Sequence, residues 1–185
     1  MRTKTKSYSI IDIITRGTDH FIQKGINNAR LEIEWFLCDI LNCQRIDLYL
    51  RFEEGMFNKD LVKLRSMINR RISGEPFQQI LGKGSFYGRD YKINQNVLTP
   101  RPETEILIER LKKNGKDKSL LDVGTGSGCI AITVALEQLA DKIYATDTSS
   151  YALQITRENM SNHSVSEIQL ASHDFLRQKF KTSFN

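Results

Sequence analysis

The sequence predicts an α/β protein in three parts: an N-terminal helical bundle, a β-hairpin linker, and the first half of a doubly wound parallel sheet. Apolar residues recur at helical spacing over the first 75 residues. Glycines and short alternating runs replace that spacing in the segment that follows. From residue 119 onward, strand-like and helix-like segments alternate, which is typical of a parallel sheet covered on both faces. We therefore expect a helical domain at 1–75, the hairpin and linker at 76–102, and a partial sheet domain at 103–185.

Three segments of the first part have helical spacing. They begin near Ser9, after Asn27 or Asn28, and near Asn58. The third ends before Gly74, a residue type that terminates helices. In the second segment, the apolar residues predict a buried helix face made of Leu31, Trp35, Cys38 and Leu41.

The second part of the chain is expected to contain a hairpin with its turn near Gly88–Arg89, followed by a helix from about Glu103 to Lys113. Three strands then alternate with two helices. In order, these segments are SLLDV, GCIAITVALEQLA, KIYAT, SYALQITRENM and EIQLAS. Right-handed crossovers would place the three strands side by side in the sheet.

The composition indicates a folded globular protein, since 39% of the 185 residues are hydrophobic and 26% are charged. No apolar run approaches the length of a membrane-spanning helix. Cys38, Cys43 and Cys129 lack a CxxC spacing, so we expect free thiols in a reducing cytoplasm and no metal site. The net charge of +5 permits an acidic or nucleic-acid-associated partner without requiring one.

A glycine-rich loop lies within LLDVGTGSGCIAI, residues 120–132. A P-loop needs GxxxxGK and a lysine that reaches the phosphates, but residues 123–135 contain no lysine. A dinucleotide fingerprint needs GxGxxG, whereas Gly124, Gly126 and Gly128 form GxGxG. An NAD-dependent enzyme remains an alternative, and so does a purely structural turn.

The pattern favours a loop whose backbone approaches a ligand closely. Gly124 and Gly126 lack the Cβ atoms that would block that approach. Asp147 ends the second strand, and a carboxylate at this position can accept hydrogen bonds from both hydroxyls of a ribose. A nucleoside with a small zwitterionic tail fits this pairing, and S-adenosylmethionine is the common ligand of that kind.

Several longer segments resemble a known family. These are PFQQILGKGSFYGRDYKINQNVLTPRPETEILIE, LLDVGTGSGCIAI and ATDTS. They are similar to the peptide chain release factor glutamine N5-methyltransferases, the HemK/PrmC family, and the resemblance covers nearly the whole chain. It implies a Rossmann-like methyltransferase sheet and a substrate-recognising helical domain. It also implies methyl transfer from S-adenosyl-L-methionine to the glutamine amide in the GGQ motif of release factors.

The resemblance also implies roles for individual residues. Asp147 would bind the ribose, and Phe175, preceded by Asp174, would lie beside the adenine; the alternative for Phe175 is an ordinary core residue. TPRPETE, residues 99–105, would border the methionine end of the cofactor and the substrate entrance. The cofactor loop would consist of Gly124, Thr125, Gly126, Ser127 and Gly128.

The reaction centre of the family is an NPPY motif after the fourth strand, where it holds the substrate amide. The family spacing places this motif beyond Asn185, so no catalytic residue is assigned within the 185 residues. We therefore expect the chain to be the N-terminal part of a larger protein, as a shortened piece or a truncated gene product. LLDV would then form a sheet edge.

Three functions remain open from the sequence. The first is release factor methylation, and the second is a non-enzymatic piece that binds the cofactor or a release factor. The third is a nucleic-acid N-methyltransferase, but no basic stripe with interleaved aromatics supports it. We expect no membrane contact and no sequence-specific nucleic-acid binding. Arg65, Arg70 and Arg71 would form a solvated helix face or meet an acidic partner.

Overall fold

The computed structural model describes residues 8–177, and the chain divides into two compact units, Met1–Leu81 and Gly82–Asn185. The first unit is helical. Its helices are α1 (Ile10–Gln23), α2 (Ala29–Leu41), α3 (Arg45–Leu50), α4 (Asn58–Ile72) and α5 (Phe77–Leu81). Sequence analysis predicted α1, α2 and α4, but it missed the two short helices.

The second unit combines a hairpin with a parallel sheet and its helices. Its elements are β1 (Lys83–Phe86), β2 (Arg89–Lys92), a 3-10 turn (Pro102–Thr104), α6 (Glu105–Asn114), β3 (Asp117–Val123), α7 (Cys129–Leu136), β4 (Ala140–Asp147), α8 (Ser150–Asn162) and β5 (Ile168–Ser172). Between residues 8 and 177, no helix is both long enough and apolar enough to cross a membrane.

The parallel sheet has the strand order β3-β4-β5, as the sequence predicted. Its register pairs Leu121 with Tyr144 and Asp147 with Ser172. Within the described residues, β3 pairs with β4 alone, so it forms an edge of this sheet. The hairpin, α6, α7 and β4 share a core that includes Phe86, Tyr91, Ile108, Ile132 and Ile143.

Two of the differences from the expected boundaries have a clear physical reason. The hairpin turns at Tyr87 and Gly88, one residue earlier than predicted, and both residues have positive φ (51° and 71°), as a two-residue turn of type I′ requires. The helix α7 ends at Leu136 because Gln138 adopts a left-handed conformation and Ala140 already pairs with Asp117 of β3. The segment EQLA predicted as helix is therefore a turn and the start of a strand.

The predicted buried face of α2 is confirmed for Cys38, which is buried, and for Leu41, which packs against the core, but it is wrong for Leu31 and Trp35. Leu31 and Trp35 are 40% and 41% exposed. The helix packs through a face rotated away from them, which is formed by Ala29, Ile33, Phe36 and Leu37. Two acids adjoin that face, Glu32 and Glu34, and both are buried. Hydrophobic periodicity treats acids as solvent-facing, and for this reason it rotates the helix incorrectly.

Glu34 is buried because three side chains satisfy its carboxylate. Arg30 donates to Oε1 at 2.8 Å, Arg45 donates to Oε2 at 2.7 Å, and the Tyr49 hydroxyl donates to Oε1 at 3.0 Å. Burial raises the pKa of Glu34, but the hydrogen bonds from Arg30, Arg45 and Tyr49 outweigh it and leave the pKa below its usual value. The carboxylate therefore joins α2 to α3 in its charged form.

A second ion pair changes the expectation for the basic residues of α4. Arg71 donates to Glu32 at 2.7 and 3.1 Å, so its guanidinium joins α4 to α2. Arg70 pairs with Glu75. The prediction of a solvated helix face is therefore wrong for Arg71, whereas Arg70 is exposed, in agreement with it. Arg65 is exposed, in agreement with the prediction.

We predict that Glu34→Gln lowers the free energy of unfolding at neutral pH by roughly 1–3 kcal/mol, because charge-assisted hydrogen bonds are lost while Arg30 and Arg45 rehydrate. The folded-state pKa of Glu34 is lowered, so its contribution is full above the unfolded value and disappears as pH falls through the folded value. Urea titrations at several pH values should therefore show that the difference in the free energy of unfolding between Glu34→Gln and the unchanged chain becomes smaller in acid.

The matched control is Glu54→Gln, which removes the exposed partner of Arg51. This change should cost well under about 1 kcal/mol at any pH, since exposed ion pairs contribute little. Equal losses in the two variants would contradict the role assigned to Glu34.

Candidate functional site

Three loops meet at the carboxyl edge of the parallel sheet. β3, β4 and β5 run parallel, so their ends at Val123, Asp147 and Ser172 lie at one edge. The segments that follow these ends contain the predicted loop Gly124–Gly128 and the predicted aromatic Phe175. In open parallel sheets, ligands bind in the crevice outside this edge. The structure thus brings the predicted site residues into one region.

The loop between β3 and α7 is a compact turn folded onto the end of β4. Gly124, Gly126 and Gly128 have φ of 74°, 57° and 79°, in the left-handed region that glycine adopts freely. The amides of Gly124 and Thr125 both donate to the carbonyl of Thr146, at 2.8 and 2.9 Å. The Gly128 amide closes the turn by donating to the Thr125 carbonyl at 2.8 Å.

Asp147 is the side chain that joins the loop to β4. The Gly126 amide donates to its Oδ2 at 3.0 Å, and the Ser149 amide donates to its Oδ1 at 2.9 Å. A carboxylate offers about four lone-pair positions, so each oxygen keeps room for another donor. The side chain is half-buried and thus open to the crevice region. Asp147 therefore braces the loop and still has acceptor capacity for a ligand.

A second acid supports the loop from beneath. The Thr125 hydroxyl donates to Oδ2 of Asp122 at 2.8 Å, and both residues are buried. Burial raises the pKa of Asp122. Hydrogen bonds from Thr125 and from the Ala131 backbone lower this pKa, but they do not offset the burial, and the neighbouring carboxylate of Asp147 raises the pKa further. Asp122 thus fixes Thr125 inside the fold.

The three glycines serve two different purposes. A Cβ built on Gly124 meets no atom within 4 Å, and one on Gly126 comes no closer than 3.9 Å to any atom. A Cβ on Gly128 would lie 2.7 Å from the Cγ2 atom of Thr156. The first two glycines therefore leave open space for a ligand, whereas the third is required for packing against α8.

Two polar residues of α8, which sequence analysis missed, hold the back of the loop. Thr156 and Asn159 are fully buried. The Thr156 hydroxyl donates to the Gly126 carbonyl at 2.9 Å, and the Asn159 amide donates to the Ser127 carbonyl at 2.8 Å. The available signal was the position of both on the same face of α8 as the apolar Ala152 and Ile155.

The remaining predicted parts lie in the same unit. Phe175 follows β5 and is 55% exposed. Residues 99–105 lead into α6, and the carboxylate of Glu105 accepts the Tyr87 amide at 2.9 Å. The predicted contacts of Phe175 with adenine and of residues 99–105 with the methionine end remain predictions.

The described residues offer neither an activated thiol nor a metal cluster in this region. Burial raises the pKa of Cys129 to about 11, so the thiol beside the loop is neutral at physiological pH. Among residues 8–177, no group of three or more His, Cys, Asp or Glu side chains could hold a metal ion. Backbone amides, carbonyls and the Asp147 carboxylate are polar groups that the described residues offer at this edge of the sheet.

We predict that Gly128→Ala lowers the free energy of unfolding by about 2–4 kcal/mol. The new methyl group would strain the left-handed backbone at this position, and it would also overlap with the side chain of Thr156. Gly124→Ala should cost only about 1–2 kcal/mol, since its methyl group enters open space. Urea unfolding of both variants tests the difference. Equal losses would show that Gly128 is not needed for packing on α8.

Two family models match the chain. Residues 12–82 match the PrmC N-terminal domain, and residues 102–185 match the methyltransferase small domain. The first match lies over the helical unit, and the second covers the parallel sheet with the glycine loop.

Curated relatives extend the similarity across both units. The release factor glutamine methyltransferase of Chlorobaculum tepidum is 39% identical over 184 residues, which is 95% of this chain and 63% of that protein. That of Koribacter versatilis is 44% identical over 135 residues, which is 71% of this chain and 48% of that protein. The chain therefore spans between about half and just under two thirds of the length of these relatives.

Solved structures are more distant. The Pyrococcus abyssi tRNA (uracil-54, C5)-methyltransferase in complex with S-adenosyl-L-homocysteine aligns with a TM-score of 0.45 and 18% identity, over 54% of this chain and 25% of that one. This likeness is too loose to carry an argument. The family models and the relatives nevertheless confirm the predicted resemblance: by sequence, the chain is similar to release factor glutamine methyltransferases over most of its length.

Proposed function

We propose that the carboxyl edge of the sheet binds S-adenosyl-L-methionine, and that the chain is part of an enzyme that methylates the GGQ glutamine of peptide chain release factors. The curated relatives named release factor glutamine methyltransferase support the substrate class. The proposal includes action in the cytoplasm, where release factors work. It does not include a membrane partner or sequence-specific nucleic-acid binding.

One observation carries the cofactor assignment. Asp147 joins the loop to β4 by accepting the Gly126 amide, and a Cβ added at Gly124 or Gly126 would meet no atom closer than 3.9 Å. Gly128 has close neighbours and is required for packing, whereas Gly124 and Gly126 have positive φ without close neighbours. The open space at Gly124 and Gly126 therefore fits a ligand that lies directly on the backbone.

Different residues at this edge of the sheet would bind different parts of the cofactor. The loop 124–128 would contact the part of the cofactor that lies against the backbone, and Asp147 would accept the ribose hydroxyls with the lone pairs that Gly126 and Ser149 leave free. Phe175, on the segment after β5, offers an exposed aromatic face for the adenine. We propose Gly124, Thr125, Gly126, Ser127, Gly128, Asp147 and Phe175 as the cofactor-binding residues.

Bound S-adenosylmethionine supplies an electrophilic methyl group on its sulfonium. An amide nitrogen is a poor nucleophile, so orientation of the glutamine towards that methyl group must provide much of the rate. In the family, the NPPY motif performs this task, and the 185 residues contain no NPPY. The proposal therefore assigns cofactor binding, and no catalytic step, to the residues present, and it keeps the alternative of a piece that binds without catalysis.

We predict that Gly124→Ala weakens S-adenosylhomocysteine binding by at least about tenfold, because its methyl group occupies the space proposed for the ligand. The control is Gly115→Ala at the end of α6: Gly115 is also left-handed (φ 86°), with no atom within 4 Å of an added Cβ. Calorimetric titration should show a loss for the first variant alone. Equal affinity in the two variants would place the ligand elsewhere.

We predict that Asp147→Ala weakens S-adenosylhomocysteine by roughly tenfold to a hundredfold, since charge-assisted hydrogen bonds contribute about 1.5–3 kcal/mol each. NAD should bind neither the variant nor the unchanged chain. Unchanged affinity for S-adenosylhomocysteine would make Asp147 a purely structural acid, whereas binding of NAD would favour the dehydrogenase alternative.

We predict that the 185-residue chain, incubated with a release factor and methyl-labelled S-adenosylmethionine, transfers no label to the GGQ glutamine. A full-length relative serves as the positive control for the assay. Label on that glutamine with the 185-residue chain alone would show that the amide is oriented by residues within this sequence, and that NPPY is not required.

A further inference from the structure

Asn159 connects two segments that are far apart in sequence. Its amide nitrogen donates to the Lys92 carbonyl at 2.9 Å and to the Ser127 carbonyl at 2.8 Å, and its oxygen accepts the Lys92 amide at 2.7 Å. One fully buried side chain thus satisfies the backbone at the end of β2 and a carbonyl of the glycine loop. A buried amide with all these bonds formed has a fixed orientation.

Thr156 lies one turn earlier on the same face of α8. Its hydroxyl contacts the Gly126 carbonyl at 2.9 Å and the Ala152 carbonyl of its own helix at 3.1 Å. A Thr hydroxyl that bonds within its own helix is common, but the bond to Gly126 reaches across 30 residues to the loop. Two successive loop carbonyls therefore point towards α8.

This arrangement determines where the loop amides point. In a trans peptide, the carbonyl and the following N–H point in opposite directions. Because the Gly126 carbonyl faces α8, the Ser127 amide is aimed away from it. The carbonyls are thereby withdrawn from the ligand side of the loop, where they would repel the carboxylate oxygens of a ligand.

We propose that Thr156 and Asn159 are positioning residues for the cofactor loop, with Asn159 also tying the loop to the end of β2. The identity of the ligand rests on the proposed function above, but the positioning itself rests on the hydrogen bonds of α8. The competing explanation is that both residues only stabilise the packing of α8.

The test uses variants of nearly unchanged size. Thr156→Val removes the hydroxyl and keeps the bulk, whereas Thr156→Ser keeps the hydroxyl and removes the methyl group. Asn159→Asp replaces the donor to both carbonyls with an acceptor. Gln154→Ala is the control, because Gln154 is exposed on the same helix and contacts Glu158 rather than the loop. Each variant is titrated with S-adenosylhomocysteine, and its unfolding midpoint is measured.

Thr156→Val should weaken S-adenosylhomocysteine by about threefold to tenfold, and Asn159→Asp by at least about tenfold. Thr156→Ser and Gln154→Ala should bind like the unchanged chain. A purely structural role predicts instead that Thr156→Val lowers the unfolding midpoint without changing affinity. The proposal is overturned by that result, or by equal losses of affinity in Thr156→Val and Thr156→Ser.

Hydrogen–deuterium exchange of residues 124–128 in the ligand-free chain separates this proposal from the cofactor assignment. Exchange should accelerate in Thr156→Val and Asn159→Asp and not in Thr156→Ser. If the unchanged chain fails to bind S-adenosylhomocysteine, the proposed function is contradicted. The exchange rates of residues 124–128 then remain as the test of whether Thr156 and Asn159 position the loop. Unaltered exchange in Thr156→Val and Asn159→Asp would overturn it.

Discussion

The end of β4 is the constraint on which the candidate site depends. A loop of left-handed glycines exposes amides that need acceptors once they are partly buried. The Thr146 carbonyl and the Asp147 carboxylate together accept three of these amides, from Gly124, Thr125 and Gly126. The same two residues end a strand whose register with β3 and β5 is fixed by the sheet. The pairing of the strands therefore fixes the position of the loop.

Both units place charged or polar groups inside the fold and satisfy them there. In the helical unit, the buried carboxylates of Glu32 and Glu34 bind arginines from neighbouring helices. In the sheet unit, Asn159 and Thr156 meet backbone carbonyls instead. Such groups specify one arrangement, because any shift would leave a buried polar atom without a partner. The first set fixes helix packing, and the second fixes the loop at the candidate site.

The sequence predicted the parts of the structure that depend on local patterns. The alternation from residue 119 onward gave the parallel sheet, and the GxGxG spacing located the loop. Part of the buried face of α2 and the C-terminal end of α7 were missed, because ion pairing and strand pairing overrode periodicity. Thr156 and Asn159 were missed because polar residues in a helix are assumed to face solvent until their long-range partners are known. The family resemblance supplied the proposed activity, which no local pattern could give.

The central claim, that the carboxyl edge of the sheet binds S-adenosylmethionine, is tested most directly by NMR. Amide resonances of the isotopically labelled chain are followed as S-adenosylhomocysteine is added, with NAD as the comparison ligand. The account predicts that the largest shifts fall at residues 124–128, 147–149 and 173–175, with the helical unit unaffected. Shifts concentrated elsewhere, no shifts at all, or the same shifts with NAD would contradict it.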